Sequence, residues 1–129
     1  MKTHKFRVRP FFKTTLKYLE WKELQQSVEK EKSKQYVLDM VIKKVKHLLS
    51  DTPIILNIEE YKGLRHDQRF SISEESYAYI KEFSEKNGLL IAESLEVFLF
   101  IYCKNELTHS ELEKNGLFNW NIDIGWKGD

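Results

Sequence analysis

Residues 69–105 read RFSISEESYAYIKEFSEKNGLLIAESLEVFLFIYCKN, and the fold turns on this stretch. It opens by alternating apolar Phe70 and Ile72 with polar Arg69, Ser71 and Ser73, the period of a strand with one buried face. Ser73 then offers a helix N-cap, and Glu74 and Glu75 suit the positive end of the helix that follows. Tyr77, Ile80 and Phe83 give that helix an apolar face, and Asn87-Gly88 stops it. A second helix is expected from about Leu90 to Asn105. Beyond Glu96 it is apolar nearly all round, so it belongs at the centre of the core or in a subunit interface.

Nearer the N-terminus, Lys5-Phe6-Arg7-Val8-Arg9 alternates as well, with its three cations on one face. Pro10 ends this strand or opens a helix, having no N–H to give to a ladder. Helix is expected from Phe11 to about Lys32. Ser33 is expected to cap another, whose Leu38, Val41, Ile42, Val45, Leu48 and Leu49 share a face before Ser50-Asp51-Thr52-Pro53 stops it. Ile54 to Ile58 reads as a short strand and Glu59 to Gln68 as a polar connection. Thr108 caps a short helix closed by Asn115-Gly116. In the tail, Phe118, Trp120, Ile122, Ile124 and Trp126 alternate with Asn119, Asn121, Asp123 and Gly125, which predicts one strand with 54–58 as its partner.

The chain has 129 residues, enough for one domain or two small modules sharing a core. Five Gly and two Pro argue against a loop-rich chain. The lone Cys103 excludes an internal disulfide and fits a reducing compartment. The basic start is followed by no apolar leader core, and the run Val97 to Cys103 is far shorter than the roughly 20 residues of a membrane span. A cytoplasmic location without membrane association is therefore expected. The net charge of +1 conceals a division: residues 1–50 hold 13 Lys and Arg against 5 Asp and Glu, whereas residues 51–129 hold 8 against 15. Such separation suits a basic face for a polyanion, an acidic face for another partner, or attraction between the halves.

Strand, capped helix, Asn-Gly turn and apolar helix together make residues 69–105 resemble the ribbon-helix-helix superfamily of DNA-binding repressors. In that family, strands from two copies form an antiparallel ribbon in the DNA major groove. The resemblance implies that Arg69, Ser71 and Ser73 point outward to base edges, and that backbone N–H groups around Leu89 to Ala92 hold a phosphate. The second helix opens with Leu89, Leu90 and Ile91 where the family pattern would have a polar cap. Residues 5–50 resemble a diverged second copy. KFRVRP matches RFSISE with Phe6 and Val8 in the places of Phe70 and Ile72, although the first helix is longer and has no glycine turn. Another register sets Thr14-Thr15-Leu16-Lys17 against Phe70-Ser71-Ile72-Ser73. Two copies in one chain would supply both strands of the ribbon, giving an intramolecular pseudo-dimer instead of a homodimer.

Independently of the family, Lys5, Arg7 and Arg9 on one strand face stand about 7 Å apart. An Arg bidentate to guanine contributes roughly 1–3 kcal/mol of base discrimination. Lys13, Lys17, Lys34, Lys43, Lys44 and Lys46 are candidates to neutralise phosphates, with affinity that falls as salt rises. The plainer alternative is an edge strand whose cations only discourage aggregation. No histidine stands at metal-ligand spacing with Cys or carboxylate beyond His109 with Glu111 and Glu113, which read better as an exposed helix. Neither a phosphate-binding glycine loop nor a nucleophile motif is present, so no catalysis, cofactor or metal is expected.

The expected architecture is thus α+β and mainly helical, with a ribbon-helix-helix-like core, tandem if the N-terminal match holds, and an added C-terminal strand. Its parts are a basic half (1–52), an acidic half (53–107) and a short helix with the terminal strand (108–129). The expected function is sequence-specific binding of double-stranded DNA, as a repressor or DNA-complex factor of the kind found on mobile elements. The rival is an interaction module or inhibitor using the acidic half and the 89–103 helix to engage a basic protein, as a nucleic-acid charge mimic.

Overall fold

The computed structural model describes residues 2–26, 30–51, 54–58, 65–114 and 122–126. Along the chain the elements are β1 (Lys2–Val8), α1 (Pro10–Gln26), α2 (Lys30–Asp51), β2 (Ile54–Ile58), β3 (His66–Ile72), α3 (Glu74–Asn87), α4 (Ile91–Glu106), α5 (His109–Lys114) and β4 (Ile122–Trp126). The protein is α+β and mainly helical, with two separate two-stranded antiparallel sheets. β2 pairs with β4, from Ile54 opposite Trp126 to Ile58 opposite Ile122, as the tail's alternation predicts. Helix α2 begins at Lys30, upstream of the expected Ser33 cap. The Asn115-Gly116 stop, most of the 59–68 connection and the first residues of the expected tail strand lie outside the described residues.

β1 pairs with β3 inside one chain, and both strands start earlier than their cation-bearing cores suggest, at Lys2 and His66. The first ends at Val8 because Pro10 is already helical, and the second ends at Ile72 because Ser73 caps α3. Ser73 accepts the Ser76 N–H at 3.1 Å, and Gly88 closes α3 at φ 64, the left-handed conformation that a residue without Cβ adopts at little cost. Thr108 caps α5 in the same way, accepting the Glu111 N–H at 3.2 Å. The Tyr18 hydroxyl and Lys22 of α1 both donate to Glu111, which fastens α5 to α1.

Helix α4 occupies the centre. Every residue from Ser94 to Cys103 is buried, and Leu95, Phe98 and Leu99 are fully enclosed with Phe12, Ile42, Ile72 and Ile80. Each such side chain contributes roughly 1.5–3 kcal/mol by leaving water. Residues 94–103 of the helix that the rival reading offers to a partner are buried in this chain's own core, while Leu90 at its start is exposed. Where α3 approaches α4, Ser84 and Ser94 hydroxyls meet at 2.7 Å, small residues that let the helices close up.

The packing is reciprocal. α1 lies on α2 and α3 on α4; α2 packs beneath β3 and α4 beneath β1; α2 also meets α3, α1 meets α4, and α2 crosses α4. Exchanging β1-α1-α2 for β3-α3-α4 leaves this set of principal packed pairs unchanged.

Candidate nucleic-acid interface

The ladder places Lys2 opposite Ile72, Thr3 opposite Ser71, His4 opposite Phe70, Lys5 opposite Arg69, Phe6 opposite Gln68, Arg7 opposite Asp67 and Val8 opposite His66. Strand alternation sorts most of these residues by face. Phe6, Val8 and Ile72 are buried and His4, Gln68 and Phe70 are half-buried against the helices. There His4 stacks on Tyr77 with centroids 4.0 Å apart, and Phe70 meets Phe12 edge-on at 5.1 Å. Thr3, Lys5, Arg7, Asp67, Arg69 and Ser71 are all exposed on the other face.

That outer face consists of three cross-strand rows. Thr3 and Ser71 hydroxyls are hydrogen-bonded at 3.2 Å. Lys5 and Arg69 form the central row, a like-charge pair of the kind that costs roughly 0.2–1 kcal/mol in a sheet. In the third row, Asp67 receives Arg7 at 3.6 Å and Lys5 diagonally at 3.5 Å. Both pairs are at least half exposed and well screened, so they contribute little stability. Arg69 has no ion-pair partner among the described residues.

Of the residues expected to contact DNA, the structure brings Lys5, Arg7, Arg69 and Ser71 together on this face. Arg9 is corrected. Pro10 begins α1 at once, so the strand's alternation stops at Val8 and the Arg9 side chain turns inward, only 5 % exposed, to meet Glu96 at 3.1 Å. Ser73 is corrected too. It is the α3 cap, and its hydroxyl donates to Asp39 at 2.7 Å. Lys13 and Lys17 are exposed on α1, the helix that leaves the ribbon. Lys43 pairs with Asp39 at 3.2 Å, Lys44 with Glu106 at 3.8 Å, and Lys46 lies over the Tyr79 ring at 4.9 Å, so these three are engaged along α2. The side chain of Lys34 lies outside the described residues. The expected phosphate anchor at the start of α4 is corrected as well. The Glu93 carboxylate accepts the Leu90 N–H at 2.9 Å and places the chain's own negative charge there.

Two buried carboxylates hold the ribbon's ends, and they are reciprocal like the packing. Asp39 of α2 accepts from Ser73 and Ser76 where β3 becomes α3. Glu96 of α4 meets Arg9 where β1 becomes α1, and Arg65 just before β3 at 2.7 Å. Arg65 also donates to the Arg7 carbonyl at 3.1 Å. Burial works to raise the Asp39 carboxyl, but hydrogen bonds from Ser76, Ser73 and Lys43 leave it below its ordinary value. At Glu96 burial prevails over Arg65 and Arg9, and the carboxyl is pushed up. The sequence carried a signal for both residues: Leu38-Asp39 and Leu95-Glu96 each put a lone acid in an apolar stretch, where it needs a partner. Asp67 and Thr3 escape the sequence pattern because Lys2-Thr3-His4 and His66-Asp67-Gln68 contain no aliphatic residue to mark the alternation.

Other sites offer less chemistry. Burial pushes the Cys103 thiol up to about 12, far from a reactive thiolate. A cleft of about 240 Å³ between α1, α2 and α4 has Lys22, Glu23, Lys44 and Glu106 on its walls, and both lysines are paired with carboxylates. Among the described residues no group of three or more His, Cys, Asp or Glu is arranged to hold a metal ion, and no helix is long and apolar enough to cross a membrane. No family model, curated protein or solved structure matches this chain.

Proposed function

We propose that this protein binds double-stranded DNA by laying the outer face of the β1–β3 ribbon in the major groove, as a small regulator or accessory factor of DNA complexes. The observation that carries the proposal is the central row, Lys5 opposite Arg69 on an exposed two-stranded ribbon. Like charges set side by side weaken a sheet when nothing binds them, and a polyanion removes that cost. A two-stranded ribbon has the width the major groove admits. Arg7 and Arg69 are the base-reading candidates, with Lys5, Lys13 and Lys17 as phosphate partners.

The likeness to the ribbon-helix-helix arrangement is part of the same proposal. Two β-α-α units succeed one another, their strands pair antiparallel, and their packing is invariant to exchange. The ladder is centred on Lys5 and Arg69, the two residues that the KFRVRP and RFSISE match makes equivalent. A two-fold ribbon of identical strands would pair in the same way, each central residue facing its own counterpart. The register that aligns Thr14 with Phe70 instead would require a strand within α1, which is helical.

Fluorescence anisotropy with labelled duplex DNA tests the proposal. Three lysines on phosphates give a slope of log affinity against log salt near −3. The Lys5→Ala/Arg7→Ala/Arg69→Ala variant should lose binding and keep its fold by circular dichroism. Equal binding by this variant and the parent, or no binding by the parent at about 50 mM salt, would discard the ribbon as a DNA surface.

A further inference from the structure

The ribbon's two ends are chemically different. A two-fold axis through the Lys5–Arg69 row would exchange Arg7 with Ser71 and Thr3 with Asp67. A guanidinium thus stands where its counterpart is a hydroxyl, and a carboxylate where its counterpart is a hydroxyl. One end offers Arg7 beside Asp67, and the other offers Thr3 hydrogen-bonded to Ser71. Rows two residues apart are spaced about 7 Å, so the three span roughly 14 Å, on the order of four base-pair steps.

Resting on the DNA-binding proposal, we infer that one chain recognises a non-palindromic duplex, with a G·C pair under the Arg7–Asp67 end and a less constrained pair under the Thr3–Ser71 end. Operator palindromes mirror the two-fold symmetry of the proteins that read them. Here both strands belong to one chain, and that symmetry is broken at both outer rows. The chemistry of each end fixes its preference. Arg donates two hydrogen bonds to the N7 and O6 acceptors of guanine, and Asp accepts from the N4 amino group of cytosine, so adjacent Arg and Asp match the two edges of a single G·C pair. Hydroxyls donate or accept toward any base, which leaves the other end permissive.

Asp67 has a second effect. It lies 3.6 Å from Arg7 and 3.5 Å from Lys5, and so opposes any contact that gives its negative charge no amino group to accept from. A carboxylate in that place lowers affinity for the wrong duplex more than for the right one, which is selectivity through repulsion.

The test is selection from a randomised duplex library with the full chain, followed by native mass spectrometry of the selected complex. One chain per duplex and a consensus without two-fold symmetry are expected. Replacing the G·C pair at the Arg7 end should weaken binding roughly 5- to 150-fold, against less than about 5-fold at the other end. Asp67→Asn should tighten binding to random duplex while narrowing the gap between selected and random sequences. Asp67→Thr/Ser71→Arg makes the outer rows equivalent and should select a G·C pair at both ends. All these positions are solvent-exposed, and equal melting temperatures check that the variants fold. A palindromic wild-type consensus, a second chain on the duplex, or binding without enrichment of any sequence would overturn the inference while leaving DNA binding standing. Absence of binding to every duplex at about 50 mM salt would instead remove the DNA-binding proposal beneath it.

Discussion

Replacing Glu96 with Gln should cost this protein a large share of its stability. Gln keeps the shape of the side chain and an acceptor for Arg65, so the substitution removes charge and little else. In the native chain the Glu96 carboxylate lies 3.1 Å from Arg9 and 2.7 Å from Arg65, and the Glu96 and Arg9 side chains are 2 % and 5 % exposed. After substitution the Arg9 guanidinium loses the charge of Glu96 in a place almost without water. Removing one partner of a buried pair costs about 3–5 kcal/mol. Arg65, 19 % exposed, can turn partly to solvent, which puts the expected loss near 3 kcal/mol, at the lower end of that range. For a domain of this size that corresponds to roughly 10–15 °C in Tm. Urea unfolding with an unchanged m-value is the assay.

Desolvating the carboxylate and the two guanidiniums offsets their mutual attraction, so the ionic cluster itself is not a source of stability. The Arg9→Met/Glu96→Leu variant should therefore be much less damaged than Glu96→Gln. A loss below about 1 kcal/mol for Glu96→Gln, or equal losses for the two variants, would refute the account of a desolvated charge that its partner must neutralise.

Asp39→Asn should cost about 1–3 kcal/mol by weakening the cap of α3, measured by thermal melting. Because the folded Asp39 carboxyl lies below its ordinary 3.8, its contribution is complete above that pH and fades as pH falls through the lower folded value; the Asn variant should lose this part of the acid transition. Gly88→Ala should cost about 1–2 kcal/mol by calorimetry through backbone strain alone, since a Cβ there meets no atom within 4 Å; a gain in Tm would contradict the left-handed cap.

Much of this architecture was legible in the chain. Period-two alternation disclosed both ribbon strands and the C-terminal strand, and Ser73, Asn87-Gly88 and Thr108 marked helix ends that the structure keeps. The sequence pattern carries the first helix on to about Lys32, past the described end of α1 at Gln26 and start of α2 at Lys30, because neither Gly nor Pro interrupts it. Within the ribbon, Lys5, Arg7, Arg69 and Ser71 were found because alternation determines the face of a residue inside a strand. Arg9 and Ser73 were misplaced because alternation says nothing about where a strand ends, and both residues already belong to the turn into a helix. Asp67 was missed for the same reason at the other terminus. The partnership of Glu96 with Arg9 joins positions 87 apart, and only tertiary packing brings them together.

The interlocked packing of α2 beneath β3 and α4 beneath β1 also governs behaviour at dilution. A ribbon assembled from two separate molecules dissolves as its concentration falls, and whatever it binds must first restore the association. Here a covalent connection keeps the strands in each other's presence, so ribbon formation is a first-order event. A few copies of the molecule carry a finished surface as surely as many do.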